Sequence, residues 1–154
     1  MNNLKPEKKL AVISARTEGC SIRSVSRMTG VQKKTIMKLL VEVGIRCQRM
    51  MDETKRGLRF EAVECDEIWT FVQKKEGVLK AEERKANPEI GDQYTYIVLD
   101  PVIKMIPAFH VGRRDSVNTH HFIEDPSRRI EGSTKVSTDA WGPYSSAIEH
   151  YFGN

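Results

Sequence analysis

Apolar and polar positions in the first 45 residues alternate with the spacing of three short helices. The first is expected to begin at Pro6, because proline suits the first turn of a helix. Ser21 is a good N-cap for the second, whose apolar positions recur every three residues until Gly30. The third helix is predicted over residues 32–43, with Gly44 ending it.

The second and third helices have the pattern of a helix-turn-helix. Two helices that meet at a steep angle need a small residue where their backbones approach and a glycine where the chain reverses, and Ser26 and Gly30 suit these roles. The alternative is an ordinary helical hairpin with a solvated basic face. Spacing, turn residues and charge together favour binding to duplex DNA. The expected outer face of the third helix consists of Gln32, Lys33, Lys34, Met37 and Lys38.

Residues 46–60 are basic and are predicted as a helix or linker. After them, the pattern of apolar residues changes to that of strands. Apolar and aromatic runs predict strands over residues 62–72, 94–99 and 104–111, the last two forming a hairpin. Residues 73–91 between the first two strands are polar and show no apolar period. We expect this stretch to be a mobile insertion.

Two further helices and one strand complete the prediction. Ser116 is expected to cap a helix that is broken or kinked near Pro126. A short fourth strand is predicted over residues 134–138, and a last helix over residues 144–152. The fold class is therefore α+β. The expected domains are an all-α helix-turn-helix domain at 1–45, a basic linker at 46–60 and a second domain at 61–154.

The chain has 154 residues, of which 39% are hydrophobic and 30% are charged. This length allows one medium-sized domain or two small ones. No run approaches the roughly 18 apolar residues that span a bilayer, and Met1–Leu10 carries charges where a signal peptide needs its apolar core. We expect a soluble, cytoplasmic protein with no membrane partner. Cys20, Cys47 and Cys65 form no Cys-x-x-Cys motif, so they are expected to be reduced thiols.

The net charge of +4 conceals a strong asymmetry along the chain. Residues 1–60 contain 14 Lys and Arg against 5 Asp and Glu, whereas residues 61–154 contain 11 against 16. Charged residues often do no more than solvate exposed faces. Their segregation into one half of the chain nevertheless favours a polyanionic partner, and so a nucleic acid.

Two carboxylates lie in sequence contexts that suit metal chemistry. Asp66 lies in the apolar run of the first predicted strand, where a charge is costly unless it is paired, metal-bound or exposed. Asp139 follows the short fourth strand, and a carboxylate at a strand end suits Mg²⁺, which takes hard oxygen ligands. Taken alone, each residue is better explained as a turn or edge position.

Six short motifs, spread over nearly the whole chain, carry a resemblance to a known family. They are Ser21-Ile22-Arg23-Ser24, Met28-Thr29-Gly30-Val31, Lys38-Leu39-Leu40, Cys65-Asp66-Glu67-Ile68-Trp69, Gly112-Arg113-Arg114-Asp115 and Thr138-Asp139-Ala140-Trp141. With these motifs the chain resembles bacterial insertion-sequence transposases of the DDE type, in particular the family named for insertion sequence one. The fourth motif is fairly specific, whereas a helix-turn-helix is shared with many regulators.

The resemblance implies that residues 61–154 form an incomplete RNase H-like α/β domain with a mixed sheet. It also implies that the first and fourth strands each supply one catalytic, metal-binding carboxylate, here Asp66 and Asp139. In such enzymes the acids hold Mg²⁺ or Mn²⁺ for DNA strand cleavage and transfer. The implied partner is double-stranded DNA at insertion-sequence ends, in the bacterial nucleoid, with a homo-oligomer as a further expectation.

The third acid of the family, a glutamate on a helix after a fifth strand, has no matching position. The chain ends about 15 residues past Asp139, and Glu149, the only carboxylate in that stretch, is a weak substitute. Pro126 is a second departure, because the family has an uninterrupted helix there. We therefore expect a truncated transposase that binds DNA without cutting it.

A helix-turn-helix transcriptional regulator with a sensor domain at residues 61–154 is the competing interpretation. A recombinase needs Asp66 and Asp139 to converge on one open face, whereas a sensor needs an enclosed, mostly apolar pocket. Glu67 is expected to point to the opposite face of its strand from Asp66 and to be structural. The four histidines lack the spacing of a zinc site.

Overall fold

The computed structural model describes residues 4–153, and the chain divides into two compact units, Met1–Glu53 and Thr54–Asn154. The fold is α+β, which confirms the predicted class. The described helices are α1 (Pro6–Thr17), α2 (Ile22–Thr29), α3 (Lys33–Thr54), α4 (Ala81–Ala86), α5 (Ser116–Arg129) and α6 (Pro143–Phe152); the strands are β1 (Ala62–Val72), β2 (Gly91–Leu99), β3 (Ala108–Gly112) and β4 (Lys135–Ser137). None of these helices is long and apolar enough to cross a membrane.

The first unit is a small bundle in which α1, α2 and the first half of α3 enclose one apolar core. The side chain of Ser21 accepts a hydrogen bond of 3.1 Å from the backbone N–H of Ser24, which caps α2 as predicted. Gly30 ends α2 in the left-handed conformation, with φ of 68°, where a side chain would be strained. The buried core consists of Val12, Val25, Val31, Ile36 and Leu39.

Helix α3 differs from the prediction at its C-terminal end. It continues through Gly44 as far as Thr54, so that more than half of the predicted linker, residues 46–60, is helical. A single glycine inside a helix costs only about 1 kcal/mol relative to alanine. An ion pair of 2.8 Å between Glu42 and Arg46 spans the glycine and supports the helix.

The second unit contains a four-stranded mixed sheet in the order β3-β2-β1-β4. Strand β1 pairs antiparallel with β2 and parallel with β4, and β2 pairs antiparallel with β3. Helices α5 and α6 pack with the apolar side chains of this sheet to form the core. Its fully buried large side chains are Val63, Tyr96, Val98, Phe122, Ile123 and Tyr144.

Two other expectations for the second unit need correction. Helix α5 is not broken at Pro126, because that residue lies in the last turn and the helix continues to Arg129. The polar stretch 73–91, predicted as a mobile insertion with no helix or strand assigned to it, contains a 3-10 turn and α4. Arg113 links this segment to the sheet: it forms an ion pair of 3.0 Å with Glu76 and donates a hydrogen bond of 2.8 Å to the backbone carbonyl of Ile90.

Candidate active site and nucleic-acid interface

Strands β1 and β4 are neighbours, so the two carboxylates singled out from the sequence lie on adjacent segments. In the parallel ladder Val63 is paired with Val136. Val63 and Cys65 are buried, whereas Asp66 is exposed, as the alternation of side chains along a strand requires. Asp139 lies two residues beyond the end of β4.

Asp139 is joined by described contacts to Glu67 rather than to Asp66. The Nη2 atom of Arg114 lies 3.5 Å from Oε2 of Glu67, and the same nitrogen pairs with Oδ2 of Asp139. Asp66 instead accepts a hydrogen bond of 2.8 Å from the backbone N–H of Glu67. Within residues 4–153, no hydrogen bond or ion pair joins Asp66 to Asp139.

Glu67 is the buried member of this cluster, since only 5% of its side chain is exposed. Its Oε1 atom accepts a hydrogen bond of 2.9 Å from the hydroxyl group of Tyr144 on α6. The guanidinium carbon of Arg114 lies 4.5 Å from the ring centroid of Trp141, which holds the cation by a cation–π contact. The backbone N–H of Trp141 also donates to Oδ1 of Asp139 at 3.0 Å. Each polar group of the cluster therefore has a partner.

Burial and the charge of Glu67 shift the pKa values of neighbouring groups. Burial, assisted by the hydrogen bond to Glu67, raises the pKa of Tyr144 far above its usual value. Burial and the charge of Glu67 raise the pKa of the Cys65 thiol to about 12. Partial burial lowers the pKa of the Arg114 guanidinium, but the negative charges of Glu67 and Asp139 have the larger effect. The pKa of Arg114 is therefore raised. The phenol and the thiol are thus neutral, and Arg114 is the cation that pairs with the carboxylates of Glu67 and Asp139.

The residues in this arrangement do not fit a bound Mg²⁺ or Mn²⁺ ion. Such an ion takes carboxylate oxygens as ligands, and here the one guanidinium of Arg114 is already paired with both Glu67 and Asp139. In the part of the chain that the structure describes, no three His, Cys, Asp or Glu side chains form a group that could hold a metal. Glu149, the weak substitute for a third acid, lies exposed on α6. The divalent ion therefore remains a prediction from the resemblance.

The signal in the sequence that points to Glu67 is the alternation of buried and exposed side chains along β1. Val63 and Cys65 belong to the buried face, and the next residue on that face is a glutamate. A carboxylate on the buried side of a strand must find a cation or hydrogen-bond donors, which makes it a candidate for a polar cluster. Its cation, Arg114, lies in one of the six motifs, but its position beside β1 depends on the tertiary fold.

The predicted DNA-binding residues lie together at the start of α3. The backbone carbonyl of Gln32 accepts hydrogen bonds from the N–H groups of Thr35 and Ile36, so Gln32 directly precedes the helix. Ile36 and Leu39 anchor the opposite side of α3 in the core. The predicted residues Gln32, Lys33, Lys34 and Lys38 are all exposed at this end, and so is Met37. Three cations and a helix N-terminus suit contacts with phosphate groups.

Comparison with known proteins adds no family to this description. No protein-family model matches the chain, and no curated protein matches it in sequence. The case for a function therefore depends on the residues, their geometry and the resemblance carried by the six motifs.

Proposed function

We propose that this chain is a DNA transposase of the DDE type that binds double-stranded DNA at the ends of an insertion sequence. The observation that carries the DNA-binding part of the proposal is the first half of α3, which presents Lys33, Lys34 and Lys38 to solvent while Ile36 and Leu39 anchor it. The transposase assignment rests on the resemblance of the six motifs. A helix held in this way can enter the major groove as the recognition helix of a helix-turn-helix, and the preceding α2 would cross the backbone. Gln32 would pair with adenine through its side-chain amide.

The second unit supports the same family through its topology. Three antiparallel strands, a helix and a fourth strand parallel to β1 follow one another, which is the order that an RNase H-like domain implies. The resemblance assigns the catalytic and metal-binding roles to Asp66 and Asp139. Because Asp139 pairs with Arg114, and because no hydrogen bond or ion pair joins it to Asp66 within residues 4–153, we propose that the chain, so arranged, binds DNA without cutting it. Such a protein would act at the bacterial nucleoid.

A transcriptional regulator with a sensor domain is less well supported. A sensor needs an enclosed and mostly apolar pocket. A cavity of about 260 Å³ beside β2 is open, and it is lined by Glu76, Asp92, Tyr94, Arg113, Arg114 and Asp115. Five of these six residues are charged, so this cavity does not have the required character.

Salt-dependent binding to a labelled duplex of mixed sequence tests the proposal. The triple variant Lys33→Ala, Lys34→Ala, Lys38→Ala should bind more weakly than the wild type. The slope of the logarithm of affinity against that of salt concentration should decrease by about one for each lysine removed. The matched control removes three exposed lysines of the second unit, Lys85, Lys104 and Lys135, and should retain the wild-type slope. Equal slopes in all three proteins would reject DNA binding through α3.

A further inference from the structure

An apolar stripe lies among the lysines on the exposed side of α3. Met37 is 49% exposed and Val41 is 64% exposed, and these two large apolar side chains lie one turn apart. They line a shallow cavity of about 340 Å³ together with Lys34 and Lys38. The spacing of these four residues is i, i+3, i+4 and i+7, so they form one continuous helix face.

The stripe takes no part in the core of the first unit, but it lies on a helix whose other side does. Ile36 is completely buried and Leu39 nearly so, and both lie on the other side of α3. The buried side of the helix therefore fixes the orientation of Met37 and Val41. Lys34 precedes Met37 on this face and Lys38 lies between Met37 and Val41, which makes the face complementary to a polyanion that also has an apolar group.

We propose that Met37 and Val41 contact the C5-methyl groups of thymine in the major groove, so that α3 prefers A·T base pairs. This inference rests on the DNA binding proposed above. The thymine methyl group is the apolar feature that the major groove offers at base edges. The recognition helix of homeodomains contacts base edges with residues at the spacing i, i+3, i+4 and i+7, which is the spacing of this face. Lys34 and Lys38 would then reach the phosphates on either side.

A duplex that lacks only the methyl groups provides the test. Binding is measured by fluorescence anisotropy for a duplex of alternating A and T and for the same duplex with every thymine replaced by uracil. The wild type should bind the thymine duplex more tightly, by about fourfold for each methyl group that becomes buried. Met37→Ala and Val41→Ala should each reduce this preference. Met28→Ala, which removes an exposed methionine from α2, should retain it.

The possible results separate the inference from the proposed function. Equal, salt-dependent binding of the wild type to both duplexes would overturn thymine recognition and leave DNA binding in place. No binding to either duplex at low salt would overturn both. A third result is that Met37→Ala and Val41→Ala change the oligomeric state of the protein in solution without changing the preference for thymine. In that case the stripe is an interface between copies of the chain, and the inference is wrong. Circular dichroism should show unchanged helicity, since alanine favours the helix.

Discussion

The hydroxyl group of Tyr144 donates a hydrogen bond of 2.9 Å to Oε1 of Glu67, and this contact joins α6 to β1 at the edge of the core. Both side chains are withdrawn from water. The carboxylate would otherwise need another donor, because a buried charge with an unfilled hydrogen-bond position is costly. Glu67 thus links the last helix to the first strand, in addition to balancing Arg114.

Tyr144→Phe should therefore destabilise the second unit. The substitution keeps the aromatic ring but removes the donor to a buried carboxylate, which costs about 1–3 kcal/mol. Urea denaturation should show a lower midpoint with an unchanged slope. The control is Tyr151→Phe, because Tyr151 lies on the same helix and no hydrogen bond is described for its hydroxyl group. That variant should remain within about 0.5 kcal/mol of the wild type.

The buried thiol of Cys65 should make the protein less stable in alkali. Its pKa rises from 9.0 to about 12 on folding, so above pH 9 the unfolded chain loses a proton that the folded chain retains. The unfolded state then binds fewer protons, and the free energy of unfolding falls by about 1 kcal/mol per pH unit between pH 9 and pH 12.

The pH dependence can be assigned to this thiol by substitution. Cys65→Ala should make the decline in the free energy of unfolding above pH 9 less steep, and the decline that remains above pH 10 comes from the raised pKa of Tyr144. The substitution also lowers stability at neutral pH by leaving a cavity. Cys47→Ala removes an exposed thiol and should leave the decline unchanged. A decline of equal steepness in Cys65→Ala and in the wild type would contradict the assignment.

The elements that local chemistry specifies could be predicted from the sequence. Ser21 and Gly30 act through neighbouring backbone groups, and both ends of α2 are as predicted. The bounds of β1 also agree, because its apolar run is long and changes abruptly at both ends. The extent of α3 could not be predicted from Gly44 alone, since an ion pair one turn away offsets the helix-breaking tendency of a single glycine.

The candidate site depends on tertiary contacts, so the sequence alone could not place Glu67 in one cluster with Asp139. Its partner Arg114 is 47 residues away in the sequence. Side-chain alternation separates Asp66 from Glu67, but it does not tell which of the two faces meets Asp139. Only the packing of Arg114 and Trp141 against the sheet decides this, and no local pattern encodes it.

Two glycines on the first unit should respond to substitution in opposite directions. Gly44 lies in helical conformation on the exposed side of α3, and a Cβ atom there would meet nothing within 4 Å. Gly44→Ala should stabilise the unit by about 0.5–1 kcal/mol. Gly30→Ala should destabilise it, because alanine is strained at φ of 68°. Thermal unfolding followed by circular dichroism distinguishes the two variants. A loss of stability in Gly44→Ala would mean that α3 ends near that residue.

Divalent ions should not stabilise the wild-type protein. A ligand that binds the folded state raises the unfolding temperature, but Arg114 already occupies the carboxylates of Glu67 and Asp139. We expect no shift of Tm in millimolar Mg²⁺ or Mn²⁺. Arg114→Ala should be less stable without metal, because it leaves the carboxylate of Glu67 buried without its cation. In that variant the two freed carboxylates should attract the ion and restore part of the lost stability.

The comparison of Arg114→Ala with Arg114→Lys separates charge from geometry. Lysine keeps the positive charge, so Arg114→Lys should remain insensitive to metal, although it loses the planar guanidinium that contacts both carboxylates. Addition of Mn²⁺ could instead raise the Tm of the wild type, and each of the single substitutions Asp66→Asn and Asp139→Asn could abolish that rise. This result would show that the two residues bind the ion together. The prediction that Arg114 excludes the ion would then be wrong, and the metal site implied by the resemblance would be present in the chain.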